Sequence, residues 1–479
     1  MGQNNEKSKD SLEFSKSLEA HTTDIPGLLW WDIPTHGDNR GWFKENWQRE
    51  KMVALGLPDF NPVQNNISFN DAVGTTRGIH AEPWDKYVSV ASGKVLGAWV
   101  DLREGETYGN KFTLEIDPTK AILVPRGVAN SFQVLEANTA YTYLVNDHWS
   151  PGGDYAFLNL DDPTVAIDWP IPLDQAILSD KDKAHPRLHE VIPIKPRKTL
   201  ITGANGQLGR ALRSEFPHAE FADRSTFDIT RPESWTDYHW KDYETIINAA
   251  AYTAVDTAET TEGRVEAWKA NAFAVQKLAK AAIENNITLV HISSDYVFDG
   301  TNESHDEDEP FSPINVYGES KAAGDLLAAT VPRHYIARTT WVVGEGKNFI
   351  EIMKGLAEKG VKPSVVGDQI GRLTFTQDLA KALHHLIDTA APYGTYNVTN
   401  DGPSASWADI AKKTFELTGH NPDDVTPVST DDYFAKQIAE GKPIAPRPRQ
   451  STLNIDKLGR TGFAPRRWNE ALQEYIEKH

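Results

Sequence analysis

The stretch TLITGANGQLG, residues 199–209, decides the fold of the larger part of this chain. Four β-prone residues run into Gly203, Gly206 and Gly209, spaced three apart, and a helix-forming run follows from Arg210. The first two glycines let a backbone turn tightly and approach a pyrophosphate. The third allows close helix–strand packing, and the helix N-terminus attracts negative charge. Asn205, Gln207 and Leu208 complete the loop that would face such a ligand. A glycine pattern alone is weak, but this one follows a strand and opens a helix at the start of a repeating texture. Apolar strands at 245–248 (TIIN) and 288–293 (TLVHIS) come next, with an Ala-rich helical stretch at 271–285 between them. That order predicts βαβ units and a doubly wound parallel sheet of Rossmann type over residues 198–479.

Further along, YGESK at 317–321 places Tyr317 and Lys321 four residues apart, on one helix face. A neighbouring ammonium favours a tyrosinate, so the pairing predicts a Tyr317 pKa lowered toward neutrality, suited to proton transfer. Such a pair is ordinarily a solvated helix face. Upstream, however, ISSDYVF at 292–298 puts hydroxyls just past the end of an apolar strand, where open parallel sheets bind ligands.

Together these residues resemble the extended short-chain dehydrogenase/reductase family, and more narrowly the dTDP-4-dehydrorhamnose reductases. The segments that carry the resemblance are TGANGQLG (202–209), INAAAYTAVDTAE (247–259), SSDYVFDG (293–300), PFSPINVYGESKAAGD (310–325), RTTWVVG (338–344) and RPRQSTL (447–453). The resemblance implies an NADPH-dependent reduction at C4 of a nucleotide-linked ketosugar. Ser294 would hydrogen-bond the ketone, Tyr317 would protonate the alkoxide, and Lys321 would hold the nicotinamide ribose. Ala249, Ala250 and Ala251 would line the nucleotide cleft, with Asp228 and Ile229 by the adenine. Asp295, Arg338 and Trp341 would contact the substrate, and Arg447 its diphosphate. It also implies a small substrate lobe beside the sheet. Asp223 and Arg224 at the end of the second strand favour a ribose hydroxyl and a 2′-phosphate respectively, so NADH stays open beside NADPH. Two positions depart from the family. Its Gly-x-Pro-Thr is Gly371, Arg372, Leu373, Thr374 here, so that loop is expected to be shaped differently. A Glu linked in some relatives to a magnesium-bridged dimer is Ala211, so no such bridge is expected.

Upstream of the glycine loop the texture changes. HPRLHEVIPIKPRK at 185–198 holds three prolines and clustered positive charge, and reads as an exposed connector over 185–197. Before it, residues 25–184 carry short β-prone stretches at roughly ten-residue spacing. In KFTLEID at 111–117, Phe112, Leu114 and Ile116 alternate with polar residues, the period of a half-buried strand. Many short strands without long amphipathic helices predict an all-β jelly roll. Residues 1–24 are polar and read as a loose tail.

Within this half, DNRGWFKE (38–45), QNN (64–66), TRGIH (76–80), VPRGVA (124–129), YTYLV (141–145) and LSDKD (178–182) resemble the dTDP-4-dehydrorhamnose 3,5-epimerases, which have a cupin-like jelly roll. Both C3 and C5 of a 4-ketosugar lie α to the carbonyl, so each can lose a proton to a base if the enolate is stabilised. The resemblance implies His80 as the base with Asp182 orienting it, Lys86 as enolate stabiliser and Tyr143 as the acid on the opposite face. Arg40 and Arg77 would bind the diphosphate, with Glu45 and Asn66 on the nucleotide or sugar. The family's Ala-His-Gly-Phe is Ala129, Asn130, Ser131, Phe132 here, and an aromatic hydroxyl after the catalytic Tyr is replaced by His148. Both changes bear on the balance between C3 and double epimerisation. No His-x-His pair lies near His80, so a metal-free barrel is expected.

Composition narrows the partners. Lys and Arg number 49 against 68 Asp and Glu, a net charge of −19 that repels nucleic-acid phosphates and anionic lipid. Neither nucleic acid nor membrane is an expected partner. A dTDP-sugar is, because a few placed arginines can hold a diphosphate inside an acidic protein. With no cysteine there is no disulfide, thiolate zinc site or thiol nucleophile. The polar start and the lack of a long apolar run predict a cytoplasmic protein. A homo-oligomer, dimeric through the epimerase barrel, is expected. Two folds in pathway order predict a bifunctional enzyme making dTDP-L-rhamnose. Other outcomes stay open: C3-only epimerisation, reduction from the opposite C4 face, or one half acting as a non-catalytic nucleotide-sugar-binding module.

Overall fold

The computed structural model describes residues 17–149, 151 and 153–478. The chain divides into two compact units, Met1–Pro196 and Arg197–His479.

The first unit is built from two antiparallel sheets. One has six strands, in the order Glu19–Thr22, Leu29–Asp32, Lys120–Val124, Lys86–Ser92, Thr139–Val145, Gln64–Asn70. The other has five, in the order Ala156–Phe157, Thr76–Ala81, Val128–Val134, Val95–Asp101, Lys111–Ile116. Val88, Val90, Ile122 and Tyr141 from the first sheet pack with Val95, Trp99, Ile116 and Phe132 from the second in one buried cluster. The alternation read in residues 111–117 is there: Glu115 faces out while Ile116 is buried in that cluster.

Two expectations for this unit need correction. The sequence predicts a polar tail through residue 24, but Glu19–Thr22 is a strand paired antiparallel with Leu29–Asp32. His21 stacks on Trp30 at 3.8 Å and hydrogen-bonds Asp32 at 3.0 Å, which supplies the anchoring that apolar alternation does not. Residues 1–16 of that tail lie outside the described residues. The Pro-rich segment at 185–197 is not an exposed connector over most of its length. Leu188, Val191 and Ile194 are buried against Val100, Leu102 and Ala129, and His185 is itself buried.

The second unit carries a six-stranded parallel sheet ordered Glu220–Ala222, Lys198–Thr202, Tyr243–Asn248, Thr288–Ser294, His334–Thr339, Gly394–Asn397. Its strands are apolar on both faces because both are covered. Leu200, Ile246, Leu289 and Ile336 pack on one side with Val275, Leu278 and Ala282 of helix Ala274–Glu284. Their neighbours Ile201, Ile247, Val290 and Ala337 pack on the other with Leu212 of Gln207–Glu215 and Leu379 and Leu383 of Thr376–Asp388. The helix after the glycine loop begins at Gln207, three residues earlier than read, since Gly206 already accepts from the Arg210 N–H at 3.0 Å. A smaller lobe holds helices Phe349–Glu358 and Trp407–Leu417 and the short paired strands Ser364–Val366 and Thr426–Val428.

Candidate active sites

In the second unit, the first strand and its neighbour Tyr243–Asn248 lead in opposite directions through the sheet order, and a cleft of 510 Å³ opens beyond their ends. Gly203 has φ +72°, and a Cβ there would lie 2.6 Å from the Ala250 N and 2.7 Å from the Ala249 carbonyl oxygen. Only glycine lets the two loops meet this closely. The Gln207–Glu215 helix starts without a side-chain cap, so its first N–H groups are available to an anion. Gly203, Asn205, Gly206, Asp228, Ile229, Ala249, Ala250 and Ala251 all line the cleft. Gln207, Leu208 and Gly209 do not: the Leu208 side chain is buried in the core with Leu212 and Ile201, so this part of the loop can contribute only backbone. Asp223 and Arg224 both line the cleft, joined by Ser225 and Thr230, which sequence reading missed. Asp223 accepts from Asn205 Nδ2 at 2.6 Å and Ser225 Oγ at 2.6 Å, and the Ser225 contacts hold it below the usual carboxylate range. A cradle with no room for a Cβ, beside an uncapped helix start, fits a dinucleotide.

Ser294 ends its strand, and Tyr317 lies in the first turn of helix Val316–Ala328. That helix is capped by Asn315, whose Oδ1 accepts from the Gly318 N–H at 2.7 Å. A Cβ on Gly318 would sit 2.1 Å from the Tyr296 carbonyl oxygen, so glycine allows the helix start to approach the Ser294 loop. Ser294 is near enough to the Tyr317 hydroxyl to bear on its titration, and the Ser294 Oγ donates to Asp295 Oδ1 at 3.0 Å. Lys321 is buried and donates to the Ile292 carbonyl at 2.6 Å. Burial pushes Lys321 down to about 8, partly offset by Asp325. It pushes Asp295 up to about 6 against the hydroxyls of Ser451, Ser294 and Thr340. The expected lowering of Tyr317 does not occur: burial pushes it up to about 12, Ser294 offsets part, and Asp295 and Asp325 add to the rise. Desolvation of the phenolate outweighs any attraction to a lysine whose ammonium is bonded to a carbonyl.

Arg338 is also not where it was expected. It is 3% exposed, donates to Asp325 Oδ2 at 3.0 Å and to the Glu307 carbonyl at 2.9 Å, and lies over Phe298 and Phe311. Its charge is spent inside the fold, and it cannot flank a substrate. Trp341, at φ +43°, stacks on Trp407 at 3.9 Å. Arg447 donates to Asp256 at 2.6 Å and interacts with Tyr296, whose ring meets Tyr317 edge-on at 5.7 Å. In the departed Gly371–Thr374 stretch, Arg372 is buried and donates to the Leu453 carbonyl at 2.7 Å. Sequence reading missed Asn271. Its amide holds the Tyr252 N–H at 2.9 Å and carbonyl at 3.1 Å and the Ser320 hydroxyl at 3.0 Å, tying the loop after Ala251 to the helix of Tyr317. The signal for it was a polar residue within an Ala-rich helical stretch.

The first unit holds a second cleft, of 610 Å³, lined by Arg77, His80, Lys86, Tyr143 and Asp182. His80 comes from strand Thr76–Ala81 and Asp182 from the short helix Asp180–Lys183, capped by Ser179. His80 Nε2 lies 3.0 Å from Asp182 Oδ1, with the imidazole part exposed and the carboxylate buried. Lys86, at the start of strand Lys86–Ser92, pairs with Glu82 and lies 5.3 Å over the Tyr143 ring. Burial and the Glu82 charge raise the Tyr143 pKa, and Arg77 offsets part. Asn130 accepts from Trp99 Nε1 and the Tyr141 hydroxyl, both at 2.9 Å, while His148 meets Gln64 at 2.9 Å on the surface. Arg40, Glu45 and Asn66 do not line this cleft. They bond instead to Asp38, Lys51 and Gln64. His185 is the residue missed here. It stacks on Phe157 at 5.0 Å, its ring is 5.2 Å from that of His80, and its Nε2 is 3.8 Å from Asp182 Oδ1. Burial, then His80, lowers its pKa from the ordinary value, with Asp182 offsetting part.

Comparison with known proteins matches both units. Residues 197–479 fit the model of the RmlD substrate binding domain, and residues 22–190 that of dTDP-4-dehydrorhamnose 3,5-epimerase. The chain is 55% identical over 192 residues to the protein RmlC homolog of Streptococcus pyogenes, covering 38% of this chain and 96% of that protein. It is 35% identical over 295 residues to the dTDP-4-dehydrorhamnose reductase of Mycolicibacterium smegmatis, covering 60% of this chain and 86% of the relative. Among solved structures, the dTDP-4-dehydrorhamnose reductase of Bacillus anthracis in complex with NADP superposes with a TM-score of 0.54 at 35% identity, covering 59% of this chain and all of that one. The chain thus belongs to the dTDP-4-dehydrorhamnose 3,5-epimerase family through its first unit and to the dTDP-4-dehydrorhamnose reductase family through its second.

Proposed function

We propose that this chain performs two consecutive steps on one dTDP-linked sugar, 3,5-epimerisation of dTDP-4-dehydro-6-deoxy-glucose and reduction of the C4 ketone to give dTDP-L-rhamnose. The observation that carries this reading is a proton-transfer set in each family unit: His80, Asp182, Lys86 and Tyr143 lining the barrel's cleft, and Ser294, Tyr317 and Lys321 gathered where strand Thr288–Ser294 ends and helix Val316–Ala328 begins.

In the barrel, a carboxylate only accepts, so Asp182 holds the hydrogen on His80 Nε2 and leaves the lone pair on Nδ1 as the base. His80 takes the proton at C3 or C5, Lys86 stabilises the enolate oxygen, and Tyr143 returns a proton to the opposite face. Arg77 takes the diphosphate. In the second unit, Gly203, Gly206 and Ala249 to Ala251 would hold a nicotinamide dinucleotide, which when bound would supply the hydride. Ser294 orients the ketone, and Tyr317, still protonated at working pH, gives its proton to the oxygen. Arg224 beside Asp223 favours a 2′-phosphate, and with the NADP-bound relative this supports NADPH. No step calls on a metal. Incubating the protein with the 4-ketosugar nucleotide and NADPH and identifying the product by NMR tests the reading. dTDP-L-rhamnose is expected, and a product inverted at C4, or no cofactor oxidation, overturns it.

The Lys321 charge gives a pH prediction. Its protonated form is disfavoured by burial, so any contribution of the ammonium is present below about 8 and lost above it. Reductase kcat/KM, measured with epimerised ketosugar, is expected to fall about tenfold per pH unit above that value.

Two further points complete the reading. Among the described residues no helix is long and apolar enough to cross a membrane. Ile67 and Phe69, 67% and 57% exposed, lie on the edge strand Gln64–Asn70, next to Asn66 and in the same unit as the outlying Arg40 and Glu45. An unpaired apolar edge favours a second copy of the barrel. Light scattering is expected to return the mass of two chains, and a monomer at micromolar concentration would remove this part.

A further inference from the structure

His185 has no role in the proton transfers just assigned, yet it is buried beside them. It is 8% exposed, and among the described residues neither of its ring nitrogens makes a hydrogen bond of ordinary length. Buried polar side chains normally find partners, so this orphan calls for an explanation. Its Nε2 faces Asp182 Oδ1 at 3.8 Å, and the same oxygen is met by His80 Nε2 at 3.0 Å. The three ligand atoms lie within 4.8 Å of one another. In a tetrahedral zinc site, with bonds of about 2.0–2.2 Å to nitrogen or oxygen, neighbouring ligand atoms are about 3.3 Å apart. The two measured separations straddle that spacing and the third lies within 4.8 Å, so rotation of the two rings would bring the three atoms around one ion. The nearby cations have other partners: Lys86 is paired with Glu82, and Lys181 lies over the Phe157 ring at 5.3 Å.

We propose that His80, Asp182 and His185 bind one divalent transition-metal ion of the zinc class, and that the bound ion switches the barrel's proton transfer off. Two imidazoles and one carboxylate are a borderline-soft set that suits zinc or cobalt over magnesium. Three protein ligands with a fourth position toward the cleft is the arrangement of an open site. The ion takes the place of the hydrogen that His80 Nε2 shares with Asp182. No electron is transferred, one proton is released, and the His80 imidazole is left a weaker base because the metal withdraws its electron density. The second unit has no part in this, so metal would uncouple the two activities. The silencing rests on the epimerase reading above, whereas the site itself does not.

The test uses the full chain stripped with chelator, Co²⁺ as the spectroscopic probe and Zn²⁺ as the inhibitor. Expected are one Co²⁺ per chain with the intense visible absorption of a tetrahedral site, and loss of deuterium exchange into the ketosugar with Zn²⁺, reversed by EDTA. NADPH oxidation with pre-epimerised ketosugar should be unaffected. In His185→Gln the cobalt absorption should vanish and the Zn²⁺ needed for half-inhibition, relative to the variant's own metal-free rate, should rise more than about tenfold. His185→Asn serves as the second variant, and a parental far-UV circular dichroism spectrum and barrel melting transition show that each is folded. Absence of cobalt absorption, or equal Zn²⁺ sensitivity in both variants and the parent, overturns the proposal. If metal-free protein shows no exchange at all, the epimerase reading fails, and the cobalt spectrum with its dependence on His185 still decides the site.

Discussion

Tyr317→Phe is expected to abolish NADPH oxidation, by a factor of about 10²–10⁴ in kcat, while leaving deuterium exchange into the ketosugar at the parent rate. The hydroxyl is the only atom removed, and it is the one near Ser294 and pushed up to about 12 by burial. A phenol that starts protonated is the right state for a group that must deliver a proton to an alkoxide. The ring stays, so the edge-on contact with Tyr296 at 5.7 Å and the close approach at Gly318 are kept. KM for NADPH should therefore change little while kcat collapses, the pattern of an interaction made in the transition state. Ser294→Ala should fall in the same direction with a smaller loss, since it removes one hydrogen bond to the ketone. If Tyr317→Phe retains more than about a tenth of parental kcat, another acid serves the reductase and the assignment is wrong.

How much of this was legible before folding follows from how local each signal is. Gly203 and Gly206 lie in one turn, and Tyr317 and Lys321 are one helical turn apart, so their neighbourhood is encoded in consecutive residues. The jelly roll and the parallel sheet were legible for the same reason, as a change from period-two strands to alternating strands and helices. What failed was long-range. His185 sits in a Pro-rich run that looks like an exposed connector, and its burial depends on Leu188, Val191 and Ile194 finding Val100, Leu102 and Ala129 across the barrel. Arg338 lies in a motif that suggests a substrate contact, but Asp325 and the Glu307 carbonyl claim its guanidinium. Helix spacing gives Tyr317 proximity to Lys321 but not depth, and depth decides the sign of its pKa shift. Glu19–Thr22 looked like tail because EAHT has no apolar period, and its strand exists only through its pairing with Leu29–Asp32.

His80→Asn is expected to do the reverse of Tyr317→Phe: deuterium exchange at C3 and C5 should fall by about 10²–10⁴, with NADPH oxidation of pre-epimerised ketosugar intact. Asparagine can still occupy the strand position and reach Asp182, but its amide has no lone pair basic enough to take a carbon-bound proton. Asp182→Asn tests the orienting role separately. The carboxylate that holds the hydrogen on His80 Nε2 at 3.0 Å becomes an amide, the imidazole loses its fixed tautomer, and exchange should drop by a smaller but substantial factor. Because the two reactive sets lie in different units, a mixture of His80→Asn and Tyr317→Phe chains should turn the 4-ketosugar into fully reduced product. Each chain would supply the step the other lacks, with the epimerised sugar passing through solution. Recovery of turnover in that mixture shows that intermediate can leave one chain and enter another. A folded His80→Asn chain that also fails to oxidise NADPH with epimerised sugar would show that the two sites are not independent, and the two-site mechanism would have to be abandoned.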